Sequence, residues 1–490
     1  MKQKIKSKSL KTNAVLNLIK TLMSLIFPLI TFPYTSRVIG PVYIGKVNFS
    51  ISIIQYFTLL SALGIASHAT REIAKIRDNY DKLCRKIAEF FRINFFSMLF
   101  AYFLFIVALF SVPKFHEYRT LLLILSTTII LNPFGMDWVN NALEDFGYIT
   151  LRTILCQFLS IFLLFTTVHT KDDYLRYAAI NVISTAGANL LNFFHIRKYI
   201  SYKYFLKKLD IKQHIKPIFI LFAMAITTQI YSIVDNTMLG FLKDDYNVGL
   251  YTAATKLNKL VLSLVTAGTG ILLPRLSYYI KNEGFEKFKT LTYKGFDVLF
   301  LLSIPCAIGL SIISKNAVIL ISGQEFIEAI PVMKIMNPII VITSVSSFIG
   351  SQIFIPLNKE KWTLISVIIG IIVNILFNIF FIPIHGAKGA AVGTICSESM
   401  MLLINIFLLS KIIKVMPIIK KICIYTANAI IMAIPTVLIN NHVQNIYLNL
   451  LMSIFCGILI YLILLIIERN SMLFNILNSL ILKIKNGKRT

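Results

Sequence analysis

A chain of 490 residues that is 57% hydrophobic and only 14% charged cannot hide its apolar surface in a soluble core, where about a quarter of the residues carry charge. It reads as an all-α, polytopic membrane protein. The net charge of +27 would suit a nucleic-acid partner, but the basic residues fall between hydrophobic stretches rather than among stacking aromatics, which excludes that class.

Windows of about nineteen residues, long enough to cross roughly 30 Å of hydrocarbon, pick out fourteen spans. They lie near 13–33, 47–67, 93–112, 120–140, 151–169, 175–194, 217–240, 248–273, 295–314, 329–355, 363–383, 387–410, 422–439 and 446–467. The first follows Lys2, Lys4, Lys6, Lys8 and Lys11 and is too long for a cleaved leader, so it is expected to stay as a helix. Of the 49 Lys and Arg, 36 fall in the terminal segments and alternate loops on one side, and nine on the other. The positive-inside rule therefore predicts that both termini are cytoplasmic.

The loops are short, which leaves no room for a catalytic domain outside the membrane. Within 71–92, Ile73, Ile76, Tyr80, Leu83 and Ile87 recur at helical spacing among Lys and Arg, and predict one amphipathic helix on the inner surface. The six cysteines have no C-x-x-C spacing and read as packing residues.

Two stretches share a design. Arg37-Val38-Ile39-Gly40, a loop, then Ile44-Gly45 parallels Thr237-Met238-Leu239-Gly240, a loop, then Val248-Gly249, about two hundred residues later. With six spans between them, the copies would be parallel repeats. The expected organisation is a six-helix lobe over 1–200, a second over 201–416, and two peripheral helices with a tail over 417–490.

Polar stripes mark the faces turned away from lipid, which cannot hydrogen-bond them. Asn13, Asn17, Lys20 and Ser24 share one face of the first span; Asn48, Ser52 and Gln55 one of the second. The sixth carries Asn181, Thr185, Asn189 and Asn192, the eighth Thr252, Lys256, Lys259, Ser263 and Thr266, and the twelfth Thr394, Glu398 and Asn405. Small and amide residues can simply join helices. The lysines make a wet, anion-binding wall the sharper reading, with Lys20 also able to reach the interface. Asp235 reads either as a structural ion pair or as a protonatable switch or cation site, and Asp137 and Glu398 are the other candidate coupling carboxylates.

Catalysis finds no support. The chain lacks a phosphate loop, so no ATP use is expected, and His68, His169 and His385 have no H-x-x-H or H-E-x-x-H partner. No metal and no cofactor are expected.

Phe32-Pro33-Tyr34-Thr35-Ser36-Arg37-Val38-Ile39-Gly40-Pro41 with Gly45, Ala69-Thr70-Arg71-Glu72-Ile73-Ala74, Asp137-Trp138 with Glu144, Asp235 with Leu239-Gly240, and Gly249-Leu250-Tyr251 with Lys256 together resemble the polysaccharide transporter family. These are bacterial O-antigen and capsule repeat-unit flippases of the multidrug/oligosaccharidyl-lipid/polysaccharide exporter superfamily. The resemblance implies a two-lobed fold of fourteen helices in the bacterial inner membrane. It would flip undecaprenyl-diphosphate-linked oligosaccharide to the outer leaflet by alternating access, coupled to an ion gradient. Arg37 and Lys256 fall on the family's basic positions.

On this reading Lys20, Arg37, Lys256 and Lys259 hold the diphosphate, and Asn17, Gln55 and Asn189 meet sugar hydroxyls. Asp137, Asp235 or Glu398 couples the ion. The expected partners are the lipid-linked oligosaccharide, membrane lipids, a polysaccharide polymerase and a chain-length regulator. A multidrug or cation antiporter of the same superfamily is the first alternative, and a membrane-embedded polymerase or glycosyltransferase the second.

Overall fold

The computed structural model describes residues 10–201, 203–204, 209–270 and 272–470. Most of the N-terminal lysine run and the basic C-terminal tail lie outside them. Among the described residues every regular element is helical.

The chain runs through α1 (Leu10–Ala62), α2 (Ile65–Ala74), α3 (Tyr80–Ser111), α4 (Arg119–Gly135), α5 (Asp137–Ala142), α6 (Phe146–Thr167), α7 (Tyr174–Val182) and α8 (Ala188–Ile196). It continues through α9 (Lys212–Leu242), α10 (Asp245–Gly270), α11 (Leu272–Asn282), α12 (Phe285–Ser322), α13 (Ala329–Met336) and α14 (Ile339–Ser347). The last four helices are α15 (Glu360–His385), α16 (Ala387–Ser410), α17 (Met416–His442) and α18 (Ile446–Ile467). Among the described residues ten helices, counting continuous runs, are long and apolar enough to cross a membrane, or up to twelve if the bent pairs 212–227 with 229–242 and 329–336 with 339–354 each count as one span. The protein is thus a multi-pass, all-α membrane protein.

Several expected boundaries move, each for a local reason. The first two spans merge into α1, whose only non-helical dihedrals are at Gly40 (φ 79°, ψ 170°). There the following Pro41 lacks an N–H and disfavours helical geometry in the residue before it, and glycine alone takes the positive φ without strain. The short loop expected between Gly40 and Ile44 is therefore a kink within one helix.

The amphipathic helix expected across 71–92 is instead two helices. α2 ends at Ala74, and Asn79 caps α3 by accepting a 3.1 Å hydrogen bond from the Lys82 N–H. Ile73, Leu83 and Ile87 are buried in one cluster with Phe90 and Trp138, whereas Tyr80 is exposed. Burial between protein elements, not a lipid surface, accounts for that apolar spacing.

The described residues form two compact units, 1–249 and 250–490. In the second, Phe288, Phe296, Phe300, Phe348 and Phe354 form a core between α12 and the turn after α14, joined by Tyr425 and Tyr461 of α17 and α18. The α15–α16 hairpin closes on glycines: a Cβ at Gly389 would strike the Phe381 backbone, and one at Gly393 the Asn378 side chain. Small residues permit this approach where helices have no hydrophobic gain from leaving lipid.

Candidate functional site

The predicted site residues divide between the two units, and each unit is taken by itself. In the first unit Asp235 is buried on α9. Two residues further on, Thr237 Oγ1 lies 2.9 Å from Ser52 Oγ, and the Tyr56 phenol bonds Thr237 within range of the Asp235 charge. The polar faces of α1 and α9 thus meet at the acid. Arg37 is exposed on α1, its guanidinium donating to the Pro33 carbonyl at 2.9 Å, and Gln55 is also exposed. Lys20 is half-buried, and the Asn17 side chain lies outside the described residues.

The stretch around Asp137 is more tightly built than its sequence suggests. The helix breaks at Met136, which takes a positive φ of 37°, and the Asn192 amide donates to the Gly135 carbonyl beside the break. A π-helical turn at Ile183–Gly187 precedes α8. Asn189 donates to the Leu131 carbonyl at 3.2 Å, and the Asn140 amide reaches Asn192 at 2.5 Å. Asn189 and Asn192 therefore bind α8 to α4 and α5.

Asp137 itself is paired with Arg152, a residue counted from sequence only as a loop charge. Arg152 is 3% exposed, donates to the Ala188 carbonyl at 3.0 Å and lies over the Tyr148 ring. Its signal was available: it is an arginine inside the apolar run that becomes α6. Next to it, Asp145 Oδ2 accepts from the Tyr199 hydroxyl at 2.6 Å and lies 3.0 Å from His195 Nε2. Burial pushes the Asp145 carboxyl up, but the hydrogen bonds from Tyr199 and His195 outweigh it and hold the group below the usual carboxylate range. Burial, and then the bond to that carboxylate, raise the Tyr199 phenol.

In the second unit, Lys256 is half-buried and Lys259 exposed on α10, beside buried Thr252 and Asn258. Glu398 is buried on α16 next to Ser397 and one turn from Thr394, whose Oγ1 meets the Tyr251 hydroxyl at 2.9 Å. Facing them on α15, the Asn378 amide donates to Asn374 at 3.0 Å. Sequence reasoning missed Lys421, which pairs with buried Asp297. No group of three or more His, Cys, Asp or Glu among the described residues is placed to hold a metal ion.

A family model described as polysaccharide biosynthesis protein matches residues 10–280. The chain belongs to that family. A putative O-antigen transporter of Escherichia coli strain K12 is 24% identical over 366 residues, covering 72% of this chain and 85% of its own. The solved lipid II flippase MurJ, in an inward closed conformation, matches with a TM-score of 0.75 at 18% identity, covering 94% of this chain and all of its own. An outward-facing multidrug resistance MATE transporter of the MOP superfamily matches at 0.52 and 14% identity, covering 83% of this chain and 95% of its own. At such identities these likenesses establish a shared fold.

Proposed function

We propose that this chain is a flippase that carries undecaprenyl-diphosphate-linked oligosaccharide repeat units across the bacterial inner membrane, with both termini cytoplasmic. One observation carries the reading: a polysaccharide biosynthesis family member has the fold of a lipid II flippase over 94% of its length. The named relatives are transporters and flippases, which supports a transport protein rather than an enzyme.

Two lobes of six helices, over 1–200 and 201–416, alternate access in this proposal, with 417–490 peripheral. Lys20, Arg37, Lys256 and Lys259 hold the diphosphate. A lysine within hydrocarbon costs roughly 3 kcal/mol or more when it meets no anion, and a diphosphate removes that cost. Gln55 and Asn17 meet sugar hydroxyls, while Asn189, engaged with Leu131, secures α8. Asp235 and Glu398 are the buried carboxylates proposed to couple an ion, and Asp137 is the paired one. A polymerase and a chain-length regulator are its proposed partners.

The test is reconstitution of the purified chain into liposomes holding undecaprenyl-diphosphate-linked oligosaccharide, with exposure of the sugar read by an added, membrane-impermeant lectin. The wild-type chain is expected to expose the inner pool, and Lys256→Ala to slow this at least tenfold. A wild-type rate no faster than protein-free liposomes refutes the proposal. Efflux of a cationic drug from the same vesicles would instead favour the multidrug alternative, whose fold is shared.

A further inference from the structure

A second cluster of ionisable side chains, separate from the residues above, is buried in the first unit where α2, α3 and the start of α9 meet. Glu89, His214 and His68 are 1%, 3% and 4% exposed. His68 Nε2 lies 3.2 Å from His214 Nδ1, so the two rings are in series. At its other nitrogen, His214 Nε2 is 3.1 Å from Glu89 Oε2 and 3.0 Å from Lys86 Nζ. The Phe90 ring, 4.4 Å from His214 and 5.5 Å from His68, packs against both.

Glu89 does not need the imidazoles for its own neutralisation. Lys86 Nζ approaches Oε2 at 3.0 Å, Arg85 Nε is 3.4 Å from Oε1, and the Asp210 N–H donates to Oε1 at 3.3 Å. What the rings add is a choice. His214 Nε2 faces an ammonium donor and a carboxylate acceptor at once, and one ring nitrogen serves only one of them. Carrying a lone pair, it accepts from Lys86, and Nδ1–H donates to His68. Carrying a proton, it donates to Glu89, and the Lys86 ammonium must leave the ring.

We propose that His68, His214 and Glu89 form a proton-binding site, loaded at His214 and opposed by Lys86, that controls how firmly the start of α9 is held to α2 and α3. The proton comes from hydronium in the solvent: its O–H bond breaks, the His214 Nε2–H bond forms, a water molecule is released, and the cluster gains one positive charge. His68 Nδ1, buried and with no hydrogen-bond partner, is the open end of the pair.

The charges facing the site come from each neighbouring element. α2 supplies Arg71 and Glu72, with Lys75 just past its end, and α3 supplies Arg85, Lys86 and Glu89. The start of α9 adds exposed Lys212 and Lys216, with Asp210 just before it. α5 presents the Trp138 ring to Phe90, and its Asp137 is held by Arg152. Gly64 gives the loaded state something to move: its φ is +66°, and a Cβ there would meet the backbone of Leu221 and Phe222. α2 therefore pivots on a left-handed glycine in direct contact with α9.

This inference rests on the flippase reading only for its place on the cytoplasmic side. Its test needs no transported substrate. Hydrogen exchange of the full chain in lipid nanodiscs is followed from about pH 5 to 9 as protection factors, which remove the intrinsic pH dependence, over residues 65–74 and 212–222. The wild-type chain is expected to change protection in a single step as the pH falls and His214 takes up its proton. His214→Gln should abolish the step, and Lys86→Met should move its midpoint up by about one pH unit, because the competing cation is gone. Ring-labelled histidine resonances in the unmutated protein give a second readout, in which His68 and His214 should titrate as a coupled pair. A flat wild-type profile, a step that survives His214→Gln, or independent titration of the two rings would overturn the proposal. A flippase assay that fails while the step is present would overturn the transport reading alone.

Discussion

Gly45 lies so close to the backbone of Asp245, two hundred residues further along the chain, that a Cβ on it would strike the Asp245 carbonyl. Gly249 stands against the Pro41 carbonyl in the same way, and Gly240 against the Phe49 ring. The two glycine-punctuated stretches that look alike in sequence are thus packed against each other.

Replacing either Gly45 or Gly249 by alanine should destabilise the first unit. Each Cβ meets rigid backbone rather than a side chain that can turn away, so relaxation requires a helix to shift, at a cost of about 1–3 kcal/mol. The midpoint of thermal unfolding in detergent should fall for both variants. Gly309→Ala is the control, since nothing lies within 4 Å of its Cβ position.

The Asp137–Arg152 pair should respond asymmetrically. The Arg152 side chain is 3% exposed and the Asp137 side chain 46%. Asp137→Asn leaves a guanidinium buried with its carboxylate gone, and should cost about 3 kcal/mol. Arg152→Met removes the buried charge and leaves a half-exposed carboxylate that water solvates, so about 1 kcal/mol is expected. Chemical denaturation of the two variants in the same detergent measures the order, and a reversed order would refute the assignment of the cost to burial of Arg152.

The turn before α7 should loosen only in strong acid. Asp173 accepts from the His169 and Thr170 N–H groups and the Thr170 hydroxyl, and pairs with Arg176 at 2.6 Å. Those backbone bonds hold its carboxyl down to about 2. A depressed acid contributes its stabilisation in full above its unfolded pKa, about 3.9, and loses it as pH falls through the folded value. Hydrogen exchange at His169 and Thr170 should therefore stay protected to about pH 4 and rise towards pH 2. In Asp173→Asn the same amides should exchange faster at pH 7, with no such acid transition.

Much of the reading above follows from composition and spacing. The membrane class is set by the scarcity of charge, because no soluble core could absorb so apolar a chain. Helix positions from α12 to α18 lie where hydrophobic windows place them, since a span must satisfy its own backbone and needs about twenty residues to do so. The polar faces of α1, α10 and α16 can be read from their spacing, and the resemblance carried by Arg37, Asp137 and Lys256 agrees with the family match.

Tertiary structure alone decided the partners. Asp137 with Arg152, His68 with His214, Ser52 with Thr237 and Gly45 with Gly249 join residues on different helices, and periodicity says which face a side chain occupies but not which helix faces it. The same limit applies at the kinks. The merged α1, the break at Met136 and the division of 71–92 into α2 and α3 depend on one or two residues each, Gly40 with Pro41, Met136 and Asn79, whose effect is set by the contacts their neighbours make. A sequence of this composition determines that its charges must be sheltered from lipid; only the packing of its helices determines by what.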